Sequence, residues 1–108
     1  MDEHEFRTRA DAAIESLYRA LAAAGERYDF DVDMNSGALS IEFDEPRARF
    51  VVSPNTPVRQ VWVSALSRSF KLDWNAGADA FLAPESGQTL HALIAEQIGR
   101  QLGEEVSL

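Results

Sequence analysis

The feature that most limits what this chain can fold into is a change of hydrophobic period just after Gly25. Before it, Phe6, Ala10, Ala13, Ile14, Leu17, Leu21 and Ala24 recur at steps of three and four, which predicts an amphipathic helix from about residue 3 to 24 with Gly25 placed to end it. After it the period is two. Phe30, Val32 and Met34 alternate with Asp29, Asp31 and Asp33, and beyond the turn-forming Asn35-Ser36-Gly37, Leu39, Ile41 and Phe43 alternate with Ser40, Glu42 and Asp44. Two such runs around a Gly-containing turn predict a β-hairpin.

Further strands are expected at 48–53, 58–66, 69–74 and, more weakly, 80–83, with all four prolines falling between them. Helical spacing then returns in Leu90, Leu93, Ile94, Ile98 and Leu102, from an N-cap near Ser86 to Gly103. The order α, several β, α predicts an α+β fold: a two-layer sandwich, N- and C-terminal helices packed on one face of an antiparallel β-sheet of five or six strands, the other face in solvent. With 108 residues and no repeat or linker, a single domain is expected.

The chain has no cysteine, which excludes disulfides, thiolate nucleophiles, zinc-thiolate sites and cysteine-ligated clusters together. Any metal would meet oxygen or imidazole ligands. The acidic opening Met1-Asp2-Glu3-His4-Glu5 resembles neither a signal peptide nor a transit peptide, so a cytoplasmic, bacterial setting is expected. Net charge is -8, and residues 1–45 hold 12 of the 18 acids against four arginines, whereas the remainder is balanced. That field disfavours nucleic acid and anionic membrane and favours cations or a basic protein surface.

Asp29, Asp31 and Asp33 share one strand face at a spacing of about 6.6 Å. A hairpin turning at Ser36-Gly37 sets Asp33 opposite Ser40, Asp31 opposite Glu42 and Asp29 opposite Asp44, bringing five acids onto that face. Each neighbouring pair repels by about 0.6 kcal/mol even in water, and salt screens over about 8 Å, so the row is a cost to folding. Such a row makes a poor metal cage but can lend one or two oxygens at a time to a hydrated hard cation. The bland alternative is an exposed, solubilising strand. On the first helix Asp11 and Glu15 are further candidate ligands, although Arg7 and Arg19 lie one turn beyond them.

In 60–65, Val61, Val63 and Ala65 form the apolar set, which leaves Trp62 on the open sheet beside Gln60. An exposed Trp ringed by polar groups is a typical interface anchor; the alternative is a Trp covered by Arg49 or Arg68. Trp62, Gln60 and Asn55 are the candidate partner-binding residues. His4 is expected to fray at the terminus, and His91 to sit on a helix surface. No G-x-S-x-G, H-E-x-x-H or phosphate loop occurs, so an enzyme is not expected.

Pro57-Val58-Arg59-Gln60-Val61-Trp62-Val63-Ser64 resembles the P-x-x-Q-[IV]-W-[LV]-[ST] strand of the frataxin family, whose bacterial branch is called CyaY. Asp73-Trp74 resembles the D-W that follows in some members, and 87–93 resembles the G-x-x-L-H-x-L opening of the family's second helix. The similarity runs over nearly the whole chain. It implies weak iron binding by surface carboxylates, among which Asp29, Asp31, Asp33 and Asp11 match the family's acidic ridge. It also implies a regulatory accessory of iron-sulfur cluster assembly that docks on a cysteine desulfurase and its scaffold. Tyr18, Arg19, Ala22 and Ala23 depart from the pattern, standing where bacterial members tend to carry carboxylates. Competing readings are a metal-independent acidic interaction module and an iron-storing or iron-oxidising oligomer; a monomer is expected.

Overall fold

The structure, a computed structural model, describes residues 1–108. Its first element is α1 (Glu3–Ala24). Asp2 caps it by accepting from the Glu5 N–H at 2.7 Å, and Glu3 and Glu5 in the first turn suit the positive end of the helix dipole. Phe6, Ala10, Ile14, Leu17, Leu21 and Ala24 form its buried stripe, as the spacing predicts. Gly25 closes the helix in right-handed conformation (φ -60°), its N–H bonded to the Leu21 carbonyl.

Six strands follow: β1 (Asp31–Asn35), β2 (Ala38–Asp44), β3 (Arg47–Asn55), β4 (Gln60–Ala65), β5 (Arg68–Asn75) and β6 (Ala80–Leu82). They form one antiparallel sheet in sequential order. α2 (Leu90–Leu102) completes the chain, and both helices cover the same sheet face. The buried strand residues are one alternating set: Leu39, Ile41, Phe43, Phe50, Val52, Val61, Val63, Ala65, Phe70, Leu72 and Phe81. Two aromatic groups anchor the core. Phe30, Phe43 and Phe50 stack near β1–β3, and Phe6 meets Phe81 edge-on at 5.9 Å, with Trp74 behind Phe81 at 5.1 Å.

Four boundaries differ from expectation. β1 begins at Asp31, so Asp29 precedes the sheet and does not oppose Asp44; the Phe30 N–H bonds back to the Tyr28 carbonyl instead of into a ladder. α2 is capped by Thr89, whose hydroxyl accepts from the Ala92 N–H, because Gly87 at φ +72° keeps Ser86 in a preceding turn. Pro54 lies inside β3, not between strands. The last β2–β3 pair is Leu39↔Val52, so beyond it β3 has a neighbour on one side only, and the missing N–H interrupts no ladder. Residues 56–58 form a 3₁₀ turn, so β4 starts later than expected, at Gln60.

The hairpin between β4 and β5 turns on Leu66 and Ser67, both at positive φ (50° and 62°) between the paired Ala65 and Arg68. That is the geometry which Asn-Gly adopts readily and which costs a non-glycine residue about 1 kcal/mol. Replacing Leu66 by Asn and Ser67 by Gly is therefore expected to stabilise the fold by about 0.5–1 kcal/mol, after the glycine's greater unfolded-state entropy is deducted. Urea unfolding measures this. A lower midpoint would show that the side chain of Leu66 or Ser67 contributes more than the strain removes.

Candidate metal and partner-binding face

Because only one sheet face is covered, each strand leaves its alternate residues in solvent, and the pairing register sets who stands beside whom. Across the first three strands Asp31 lies opposite Glu42, and Glu42 opposite Arg49; Asp33 lies opposite Ser40; Asp44 lies opposite Arg47. Asp31, Asp33, Glu42 and Asp44 are exposed, and β1 is the sheet edge. The hairpin reading thus holds for Asp31 and Asp33. Asp29 is exposed in the connection from α1, next to this edge but outside the row.

Two arginines on β3 bound the acidic strip. Arg49 Nε is 3.9 Å from Glu42, and Arg47 sits across from Asp44. On α1, Arg19 pairs with Glu15 at 2.8 Å, while Arg7 turns back to Glu3 at 3.6 Å and leaves Asp11 exposed. Nowhere do three His, Asp or Glu side chains come close enough to share one metal ion. The strip offers separate hard oxygen donors, which suits a hydrated cation held loosely by one or two carboxylates.

Further along the same face lies Trp62, 37% exposed, directly across from Ser53 on one side and Lys71 on the other. Its indole N–H donates to Gln60 Oε1 at 3.0 Å, and the Gln60 amide donates to Asp73 Oδ1 at 3.0 Å. The Lys71 ammonium stands 4.9 Å from the ring centre. Neither Arg49 nor Arg68 covers Trp62: Arg49 faces Glu42, and Arg68 lies over Phe70. Asn55, half-buried, is paired with Gln60 at the end of β3. Trp62, Gln60 and Asn55 therefore form one contiguous group, and Lys71 and Asp73 are members of it that sequence reasoning missed. The register across Leu66-Ser67 would have placed them, since a two-residue loop there pairs Trp62 with Lys71 and Gln60 with Asp73.

His91 lies on the surface of α2, as expected. It is half-buried in a cleft between the helices, its Nε2 3.5 Å from Ser16 Oγ. On the neighbouring turn of α2, hydrogen bonds from Gln88 and then Arg100, helped by the Arg100 charge, hold the Glu96 carboxyl below the usual glutamate range.

Asp31 and Glu42 are like charges directly opposed, which costs about 0.2–1 kcal/mol, whereas an exposed pair such as Glu42–Arg49 returns little. Asp31→Asn is expected to raise the metal-free melting temperature by about 2–4 °C, and Glu42→Gln, which removes both the repulsion and the ion pair, by less. Calorimetry in chelator decides it: a clear drop for Asp31→Asn would make the row structural.

The family model for the frataxin-like domain matches residues 1–104. The iron-sulfur cluster assembly protein CyaY of Azotobacter vinelandii is 32% identical over 95 residues, covering 86% of each chain. The mitochondrial frataxin of Arabidopsis thaliana is 27% identical, and this chain spans 59% of its length. The structure of frataxin from Psychromonas ingrahamii superposes with a TM-score of 0.83 at 26% identity, covering 99% of this chain and 97% of that one. Trimeric yeast frataxin shares the fold, with a TM-score of 0.73 at 20% identity over 89% of this chain and 80% of that one. The helix-sheet-helix order is shared with these structures, and the chain belongs to the frataxin-like family.

Proposed function

We propose that this protein is a non-enzymatic accessory of iron-sulfur cluster assembly that binds iron weakly and docks on a cysteine desulfurase and its scaffold. The relatives named for cluster assembly support the process, and their bacterial origin supports a cytoplasmic setting. The observation that carries the site is the exposed carboxylate strip at the β1 edge, on the same open face as Trp62. Iron is cargo or signal here. Asp31, Asp33, Glu42 and Asp44, with Asp29 and the α1 carboxylates Asp11 and Glu15 as secondary donors, each lend oxygens to a cation that keeps most of its water. A cation neutralises a repulsion that exists only when folding brings the acids together, so binding stabilises the native state.

Docking divides into two roles. The acidic edge steers a basic partner surface toward the face, acting on encounter rate, and Trp62 supplies apolar contact once the surfaces meet. The Gln60 and Asp73 hydrogen bonds hold the indole in place before the partner arrives, which lowers the ordering cost of binding.

Anaerobic ferrous iron is expected to raise the melting temperature of the wild-type chain and to lose that effect in Asp31→Asn/Asp33→Asn. An unchanged iron response in that variant removes the metal assignment. In stopped-flow mixing with a bacterial cysteine desulfurase, Asp31→Lys/Asp33→Lys should slow association at low salt far more than Glu104→Lys/Glu105→Lys, and Trp62→Ala should speed dissociation. Equal effects of the two charge reversals would leave the metal-independent module without its electrostatic basis as well. Trp62→Ala should cost well under the roughly 3–5 kcal/mol of a core aromatic truncation.

A further inference from the structure

On the helix side of the sheet, α1, the start of α2 and the β5–β6 hairpin enclose a cleft of about 370 Å³. That volume is at the small end of the range for small-molecule sites. Its walls differ in kind. Trp74 and Phe81 present aromatic surface, whereas α1 faces the cleft with Ala12 and Ala13, small side chains that leave the space open.

Its polar groups come from three elements. The Arg9 guanidinium lies over the Trp74 ring at 4.4 Å. Its Nε pairs with Glu5 at 3.2 Å and its Nη1 loosely with the exposed Asp79 at 3.6 Å, leaving Nη2 outside both pairs. Opposite, His91 Nε2 and Ser16 Oγ stand 3.5 Å apart, long for a hydrogen bond, so each retains capacity for another partner. Thr89 and the first turn of α2 bring the positive end of that helix to the same mouth.

We infer that this cleft binds a small carboxylate with a flat apolar body. The rings and alanines would hold the body, and the carboxylate would take hydrogen bonds from the Ser16 hydroxyl and the His91 ring, with the Arg9 guanidinium supplying positive charge at the Trp74 wall. A cation fits poorly beside the Arg9 guanidinium, a like charge lying over the Trp74 wall of the cleft. A neutral apolar ligand would leave the Ser16–His91 pair unsatisfied. The site lies on the opposite side of the sheet from the acidic strip, so it stands independently of the iron assignment.

In a Trp62→Phe background Trp74 is the sole indole, and its fluorescence reports on the cleft. Sodium benzoate is expected to give a saturable change with a dissociation constant at or below about 1 mM, at least tenfold tighter than uncharged benzamide, with no saturation by benzylamine. Arg9→Gln and His91→Gln should each weaken benzoate at least tenfold, with circular dichroism confirming that both fold. If Arg9→Gln does not fold, His91→Gln and amide chemical-shift mapping around Ala12, Ser16 and Ala80 carry the same decision. Equal affinity for benzoate and benzamide, a response that survives His91→Gln, or no saturation by benzoate would each overturn the assignment.

Discussion

Everything on this molecule's surface follows from one-sided burial. Two helices cannot cover both faces of a six-stranded sheet, so period-two alternation divides each strand between a dry face and a wet one. Leu39, Ile41 and Phe43 face the helices, and Ser40, Glu42 and Asp44 consequently face solvent. The same division exposes Trp62, because Val61, Val63 and Ala65 occupy the core side of β4. A slip of one residue in any strand would exchange the two sets, so burying the core also fixes the order of the working face.

That order is chemically graded across the open sheet. Acids stand at the β1 edge, Arg47 and Arg49 follow on β3, and Trp62 with Lys71 occupies the centre. The arginines confine the negative field to the edge, where a partner first meets it. An unpaired strand edge also invites edge-to-edge association, and carboxylates at β1 discourage it. At the opposite edge β6 has only three residues, and the bridge from Leu82 to Thr89 shields part of it.

Much of this was legible in the sequence, and the exceptions have physical causes. The helix from residue 3 to 24 and the Asp31–Glu42 register follow from strong periodicity and a glycine-bearing turn. Asp29 was misplaced because alternation continues past the point where hydrogen bonding stops; periodicity marks burial and does not mark pairing. Ser86 looked like a cap, but only the backbone at Gly87 decides that Thr89 takes the role. The β4–β5 register was hidden because Leu66 and Ser67 adopt positive φ without the residues that advertise it, and with that register went Lys71 and Asp73. The cleft around Trp74 and His91 joins residues from both ends of the chain, which no local pattern can announce.

The sequential strand order has a kinetic consequence. Every strand pairs with its neighbour in the chain, so the sheet can grow by successive hairpins with short loop closures. The contact of Phe6 with Phe81 instead joins the first helix to the last strand and carries a large closure entropy. Docking of α1 on β6 therefore belongs late on the folding route, after the transition state has organised the central strands. Truncating Phe81 would then act mainly on the rate of unfolding, and truncating Phe50 or Val63 on the rate of folding.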